Sequence, residues 1–487
     1  MQKYLSVVVL LLMMTSCKKW LDVIPDSQVA DEELFKTEAG FQESLNGIYS
    51  RCSDGDLYGY ELTSGFPEVL AQDYTIAQDN KWNYRQASLY NYKDPFFIGI
   101  KDAAWKGLYN AIANCNLLLE KADKNKSVLA AQSYTLIKGE ALAMRAYLHF
   151  DVLRLFGPSF ATDPAAKAIP YVTKYSNKAT SLSTVTEALN SMAADLNSAK
   201  ELLKTVDPII SAAYKVGYPG DTATRELASP SLFLQNRRHR MNYYAVCGTL
   251  ARVYLAMNKK DLALANALEV INANKFPWTK TADFINADAK KKDRILYPEL
   301  IFGFYNQPFE ILYDSRFNAG AVSLYITPNE GNNIYESGGV GAEDLRFKQW
   351  FKLVNDVSGN RLDLQKYLRD GDENLHPFMA PVLRLSELYY IAAECAWDAD
   401  QAKALEYFNT VRFNRGIGTS LSVVSKQQFL LELVKEARKE FYGEGQLFYM
   451  YKRLNMGIAG PSGLTIPASK SIFVLPLPND EIEYGQR

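Results

Sequence analysis

The segment from Tyr134 to Phe156 does most to limit what this chain can become. Ile137, Ala141, Met144, Leu148, Val152 and Leu155 recur at three- and four-residue steps, and Ala146, Phe150 and Leu153 widen the stripe. That spacing lines up one apolar face of a helix, which must be covered by other helices. Gly157-Pro158 ends it, because proline cannot continue the hydrogen-bond ladder. The same periodicity recurs along the chain. Phe41, Leu45 and Ile48 mark a helix over Gly40–Tyr49, with Asp31 placed to cap a short helix before it. Trp105, Leu108, Ile112, Cys115 and Leu119 mark another over Ala103–Lys121, and Thr184–Leu203 is amphipathic. Asn242–Met257 and Asp261–Ala273 read as a hairpin across the tight turn Asn258-Lys259-Lys260. Leu385–Trp397 and Gln401–Asn414 repeat the arrangement, and a last helix over Lys426–Arg453 is expected to break near Gly443 and Gly445.

Both hairpins re-enter with Asp, one residue, then Ala: Asp261-Leu262-Ala263 and Asp400-Gln401-Ala402. Asp is a good N-cap and the small Ala permits close helix packing. The pairs resemble tetratricopeptide units without a fixed 34-residue period. The fold class is therefore all-α, a tetratricopeptide-like scaffold of helical hairpins with long irregular segments at 54–92, 157–182, 205–235 and 297–344. Loops of that length often carry function. No polar linker splits the chain, and an α-solenoid can run long as one unit, so residues 17–487 read as one domain.

Charge narrows the function. The chain has 54 Lys plus Arg against 55 Asp plus Glu, which speaks against a nucleic-acid partner. The cluster Arg237-Arg238-His239-Arg240 reads as a solvated face or as contact with an acidic loop. Only 3 His are present, too few for a multi-His metal enzyme. Cys52, Cys115, Cys247 and Cys395 match no metal or disulfide spacing, and the last three sit in helical patterns as small hydrophobes. No cofactor motif is present: Gly338–Gly341 lacks the Lys-Ser/Thr pair of a phosphate loop, and a structural Ca²⁺ finds no EF-hand spacing.

The first residues, MQKYLSVVVLLLMMTSC, run from Lys3 through the apolar stretch Leu5–Met14 to the small residues Thr15 and Ser16. That order is a secretory signal over residues 1–16. Cys17 follows as in a bacterial lipobox, so lipid attachment is expected there, each buried CH₂ adding about 0.8 kcal/mol of membrane affinity. No later stretch approaches the roughly 20 apolar residues of a spanning helix, so the lipid is the expected membrane contact.

The chain is rich in rings, with 31 Tyr, 24 Phe and 6 Trp. Trp105, Tyr109, Tyr147 and Phe150 fit core stripes, and Trp278 follows a helix as a packing residue. Others fall in polar loops. A pyranose has an apolar C–H face that a flat aromatic ring can receive, while amides and charged groups bind its hydroxyls. Asp73, Trp82, Asn83, Tyr84 and Arg85 in one loop, and Tyr305, Tyr325 and Tyr335 in another, are the candidate ligand contacts, with Trp82 foremost. Asp79, Asn306, Gln307, Tyr313, Arg316, Asn329, Asn332 and Asn333 accompany them. No catalytic residue is assigned. Asp73, Asp79, Glu310 and Asp314 are loop carboxylates, but a glycosidase needs two of them roughly 5–10 Å apart across the bond.

A family resemblance gathers these features. "SCKKWLDVIPDS" with "LFKTEAGFQESLNGIY" is similar to the opening of SusD/RagB-type outer-membrane lipoproteins of the Bacteroidetes. It continues in "AWKGLYNAIANCN", "KGEALAMRAYLHFDVLRLFG" and "MNYYAVCGTLARVYLAMN", then "APVLRLSELYYIAAE", "EARKEFYGEGQLFYMYKRLN" and "FVLPLPNDEIEYG". Gln446 departs from the Arg or His common after Glu-Gly in that family. The resemblance implies a helical binding protein, not an enzyme, lipid-anchored on the outer membrane and facing the cell surface. It implies a lid over a SusC-like TonB-dependent barrel, capturing glycans or, in some members, peptides through an early and a mid-chain loop. Arg145, Arg384 and Arg453 lie in these blocks and are expected to form ion pairs within the fold. A peptide-binding member and an all-α surface glycoside hydrolase are the alternatives.

Overall fold

In the computed structural model every residue of the Tyr134–Phe156 stripe is buried. The structure describes residues 33–485, apart from 79, 307–309, 319, 321, 357–358, 370–373 and 424. The signal segment, Cys17 and Asp31 therefore lie outside the described residues, as do Asp79 and Gln307.

The main helices are α1 (Glu38–Cys52), α2 (Pro95–Lys124), α3 (Ala131–Phe156), α4 (Val185–Leu203), α5 (Tyr243–Ala256) and α6 (Lys260–Asn272). They continue as α7 (Pro328–Tyr335), α8 (Leu385–Ala396), α9 (Gln401–Asn414), α10 (Lys426–Glu440) and α11 (Leu447–Leu454). Local chemistry sets their starts. Thr37, Asp94, Asn242, Asp400 and Ser425 each accept a backbone N–H of the first turn, and Thr184 closes a reciprocal capping box with Glu187. Asp94-Pro95 starts α2 well before the periodic stripe, because proline is tolerated at the first helical position. Asp261 does not cap: α6 begins at Lys260 with Lys259 before it, and Asp261 sits in the first turn. The last helical pattern breaks between α10 and α11, where Gly443 and Gly445 adopt φ +78° and +70°.

From α2 to α6 each helix packs on the next in chain order, and α6 then packs on α8, which packs on α9. The two hairpins thus stack across everything inserted between them. That insertion is not irregular throughout. It holds β1 (Leu300–Tyr305), β2 (Tyr325–Ile326), β3 (Phe351–Asp356), β4 (Gly359–Leu364) and β5 (Met379–Arg384). β1 and β5 pair antiparallel, and β4 lies between β2 and β3. A small hairpin, β6 (Ile458–Ala459) and β7 (Thr465–Ile466), follows α11. The segment 54–65 is likewise a wound, mostly buried turn.

Buried ion pairs tie the insertion to the solenoid. Arg415 joins Glu299 and Glu440 at 2.6 Å each, and Arg346 joins Asp344, Glu436 and Glu440 at 2.7–2.9 Å. Burial alone would raise the Glu440 carboxyl, yet Arg415 and then Arg346 hold it well below the usual carboxylate range. Arg145 pairs with Asp195, Arg384 with Glu444 and Arg453 with Glu394, as the sequence leads one to expect. The basic cluster meets acids and is not a solvated face: Arg237 holds Asp207 and Glu140, Arg238 holds Glu226, and Arg240 holds Glu140. The four described cysteines are unpaired and buried. Gln446 accepts from Arg154 at 3.0 Å, a partly buried contact within the fold. Among the described residues no helix is long and apolar enough to cross a membrane.

Candidate ligand-binding site

The early loop begins after the short helix Phe66–Leu70 and is shaped by Asn80. Its side-chain oxygen accepts the backbone N–H groups of Trp82 and Tyr84 at 3.2 Å each, and Asn83 takes a left-handed φ of 59°, which Asn tolerates. The turn therefore presents Lys81, Asn83 and Arg85 to solvent, with the Trp82 ring half-buried.

The mid-chain loop lies against it. Asn80 donates to the Val322 carbonyl at 3.2 Å, and the Thr75 N–H donates to the Tyr325 carbonyl at 2.7 Å. The Thr75 hydroxyl donates to Glu330, which also closes a capping box with Thr327 at the start of α7. Arg316, in the short mid-chain helix Glu310–Phe317, stacks on the 54–65 turn and on the early loop: its guanidinium lies 3.4 Å from the Tyr60 ring centre and 4.5 Å from that of Trp82. It also faces Glu61 at 3.4 Å and donates to the Tyr84 hydroxyl at 3.0 Å, which in turn donates to Glu61 at 2.9 Å. Burial raises the Glu61 carboxyl, and Arg316 and the Tyr84 hydroxyl partly restore it. The Trp82 indole N–H has no hydrogen-bond partner among the described residues, and Lys81 reaches to 5.2 Å from its ring.

Along both loops the Thr75–Tyr325 bridge separates the Trp82 turn from a cleft of about 650 Å³. Its walls come from Gln72–Tyr74, α7, α10 and the β6–β7 hairpin, with Gln72, Asn333, Lys435, Arg438 and Thr465 among its polar groups. Its described carboxylates are engaged. Glu330 holds the loop start, Glu336 pairs with Lys439 at 2.6 Å, and Asp73 accepts from Arg438 at 2.8 Å.

The candidate residues thus separate. Trp82, Asn83, Arg85 and Tyr325 come together at the joined loops, Tyr325 half-buried beside the bridge. Asp73, Tyr84 and Tyr335 are buried, which corrects their expected place on a contact surface. Each polar tip points into the fold: Asp73 to Arg438, Tyr84 to Glu61, and Tyr335 to the Lys439 carbonyl at 3.2 Å. Loop position did not distinguish them because these segments fold down onto α10 and the wound 54–65 turn. Burial, opposed by Arg438, leaves the Asp73 carboxyl raised to about 6 beside the buried Glu68 carboxyl. Tyr305 is exposed but stands at the end of β1 against His239, apart from these partners. Tyr313 and Asn306 are buried, Asn329, Asn332 and Asn333 are exposed on α7, and the side chains of Glu310 and Asp314 lie outside those described. Trp278 packs against Tyr389 at 5.2 Å. Lys435 and Arg438 were missed; their only signal is the polar face of α10.

Residues 19–214 match a family described as starch-binding associating with outer membrane, and residues 369–462 match the SusD family. SusD-like protein P2 of Formosa agariphila is 24% identical over 99% of this chain and 97% of that protein. A SusD superfamily protein of Bacteroides thetaiotaomicron shares the fold with a TM-score of 0.72 and 23% identity, covering 92% of this chain and 98% of its own. A SusD-like carbohydrate binding protein of Bacteroides vulgatus does so at 0.69 and 18%, covering 92% and 96%.

Proposed function

The chain belongs to the SusD/RagB family, and from that premise we propose that it binds an oligosaccharide at the cell surface and passes it to a SusC-like TonB-dependent barrel. The observation that carries this reading is the joining of the two loops. Arg316 holds Trp82 against the mid-chain segment, so one half-buried indole stands among exposed Lys81, Asn83 and Arg85. An apolar sugar face meets the ring and its hydroxyls meet the surrounding donors. The protein acts without turnover, held to the outer membrane by lipid on Cys17 after removal of residues 1–16. No resident cofactor takes part.

The test is calorimetric titration of the chain lacking residues 1–17 with a panel of oligosaccharides and peptides. A glycan binds and is recovered uncleaved, and Trp82→Ala weakens it about tenfold or more, as loss of a buried aromatic anchor does. Binding of peptides alone transfers the reading to a peptide carrier, and release of shorter sugars transfers it to a hydrolase. Co-purification with a barrel from outer-membrane extracts tests delivery, and loss of acyl labelling in Cys17→Ala tests the anchor.

A further inference from the structure

A second cleft, of about 600 Å³, opens between α1, the segment Leu232–Arg240 and the end of β1. It shares no lining residue with the cleft beside the joined loops. Tyr305 is 44% exposed on its wall, and its ring lies nearly parallel to that of His239, 5° apart with centres 5.6 Å away. Leu232 stands at the rim 82% exposed. Amides surround this flat apolar surface: Gln42, Asn46, Gln235 and Asn236. Arg240, buried to 8% exposure, donates to Glu140 and to the Asn46 side-chain oxygen, while its Nη2 has no partner among the described residues. His239 Nε2 likewise has none.

The charges of the lining cancel or turn slightly acidic. Arg240 and Arg237 share Glu140, with Asp207 completing the set. Arg51 is divided between Asp54, on the lining, and Asp56 at 3.0 and 2.6 Å, leaving one carboxylate in excess. Burial, then the neighbouring Arg238 and Arg240, lowers His239 to about 3, so the imidazole is neutral at physiological pH. An anionic ligand meets no uncompensated cation here. A ring-bearing, hydroxylated, uncharged ligand meets a stacking face, amides, an orphan guanidinium donor and an unpartnered imidazole nitrogen in a volume of ordinary ligand size.

We propose that this cleft is a separate binding site for a neutral saccharide unit, stacked on Tyr305 and hydrogen-bonded by Asn46 and Arg240. The proposal rests on the glycan-binding reading but on none of the residues used for it.

The probes are maltohexaose, cellohexaose, xylohexaose, mannohexaose and tetragalacturonate, titrated calorimetrically into the chain lacking residues 1–17. With Trp82→Ala, one binding event with a neutral hexasaccharide remains, and adding Tyr305→Ala or Asn46→Ala weakens that event about tenfold or more at unchanged Tm. If Trp82→Ala abolishes all binding, or if neither Tyr305→Ala nor Asn46→Ala changes any affinity, the second site is refuted while surface glycan binding stands. Binding of tetragalacturonate alone also refutes it. If the unaltered chain binds none of the probes, both proposals fall.

Discussion

Replacing Arg316 by Ala isolates the contact that joins the two loops. The guanidinium lies against Tyr60 at 3.4 Å and Trp82 at 4.5 Å, and such stacked cations are worth about 0.5–2 kcal/mol each when partly desolvated. It also faces Glu61 at 3.4 Å, with both side chains about nine-tenths buried, so removing it leaves a carboxylate without its counter-charge. Glu61 limits that cost by taking up a proton, since burial already raises it and outweighs the opposing Tyr84 hydroxyl, which donates at 2.9 Å. A net loss of about 2–3 kcal/mol in docking one loop on the other follows, or roughly 30- to 150-fold in that equilibrium. The helical stack does not depend on this contact, so Tm should move little. Hydrogen exchange reads the loss locally. The amides of Thr75, Trp82 and Tyr84, which bond to Tyr325 and Asn80, should exchange faster by that factor, and glycan affinity should fall in parallel. Arg316→Lys keeps the charge without the planar stack and should fall between. Unchanged exchange at these amides would refute the role given to Arg316, and unchanged affinity would refute the role given to the joined loops.

Other outcomes follow from the same geometry. Tyr335→Phe removes one buried hydrogen bond to Lys439 and should cost about 1 kcal/mol in urea unfolding with no change in glycan affinity; an affinity loss would return Tyr335 to the site. Gly445→Ala forces a side chain at φ +70° with its Cβ 2.4 Å from the Leu62 carbonyl oxygen, costing at least about 1–2 kcal/mol, and unaltered unfolding would contradict the close approach. Asp73, raised to about 6 from 3.8, favours the folded state while protonated. Its contribution is present below the unfolded value and is lost as pH rises through about 6, at most about 3 kcal/mol shared with Glu68. Asp73→Asn should therefore remove a fall in unfolding free energy between pH 4 and 6.5, and parallel pH profiles for variant and parent would count against the carboxyl pair.

The helices were legible because their signals are local. Gln401–Asn414 and the break between α10 and α11 fall where periodicity, Asp400 and the paired glycines put them. The start of α2 moved to Pro95 because the Asp94 cap lies ahead of the apolar stripe. The strands were not legible. β1 and β5 are short, almost wholly buried runs, so no alternation marks them, and their pairing joins residues distant in sequence. The site was half legible for the same reason. Polar neighbours mark Trp82 as a loop residue, but equally polar neighbours surround Tyr84 and Tyr335, whose rings turn inward to Glu61 and Phe347. Nothing in either loop announces Arg316 as the link, since its partners come from two segments distant in sequence, Tyr60-Glu61 and Trp82–Tyr84.

The decisive measurement is a crystal structure of the chain with its tightest-binding oligosaccharide. A sugar ring should pack against Trp82, its hydroxyls within hydrogen-bond distance of side chains from both joined loops. A saccharide seated away from both loops, with the Trp82 ring untouched, would contradict binding at the joined loops.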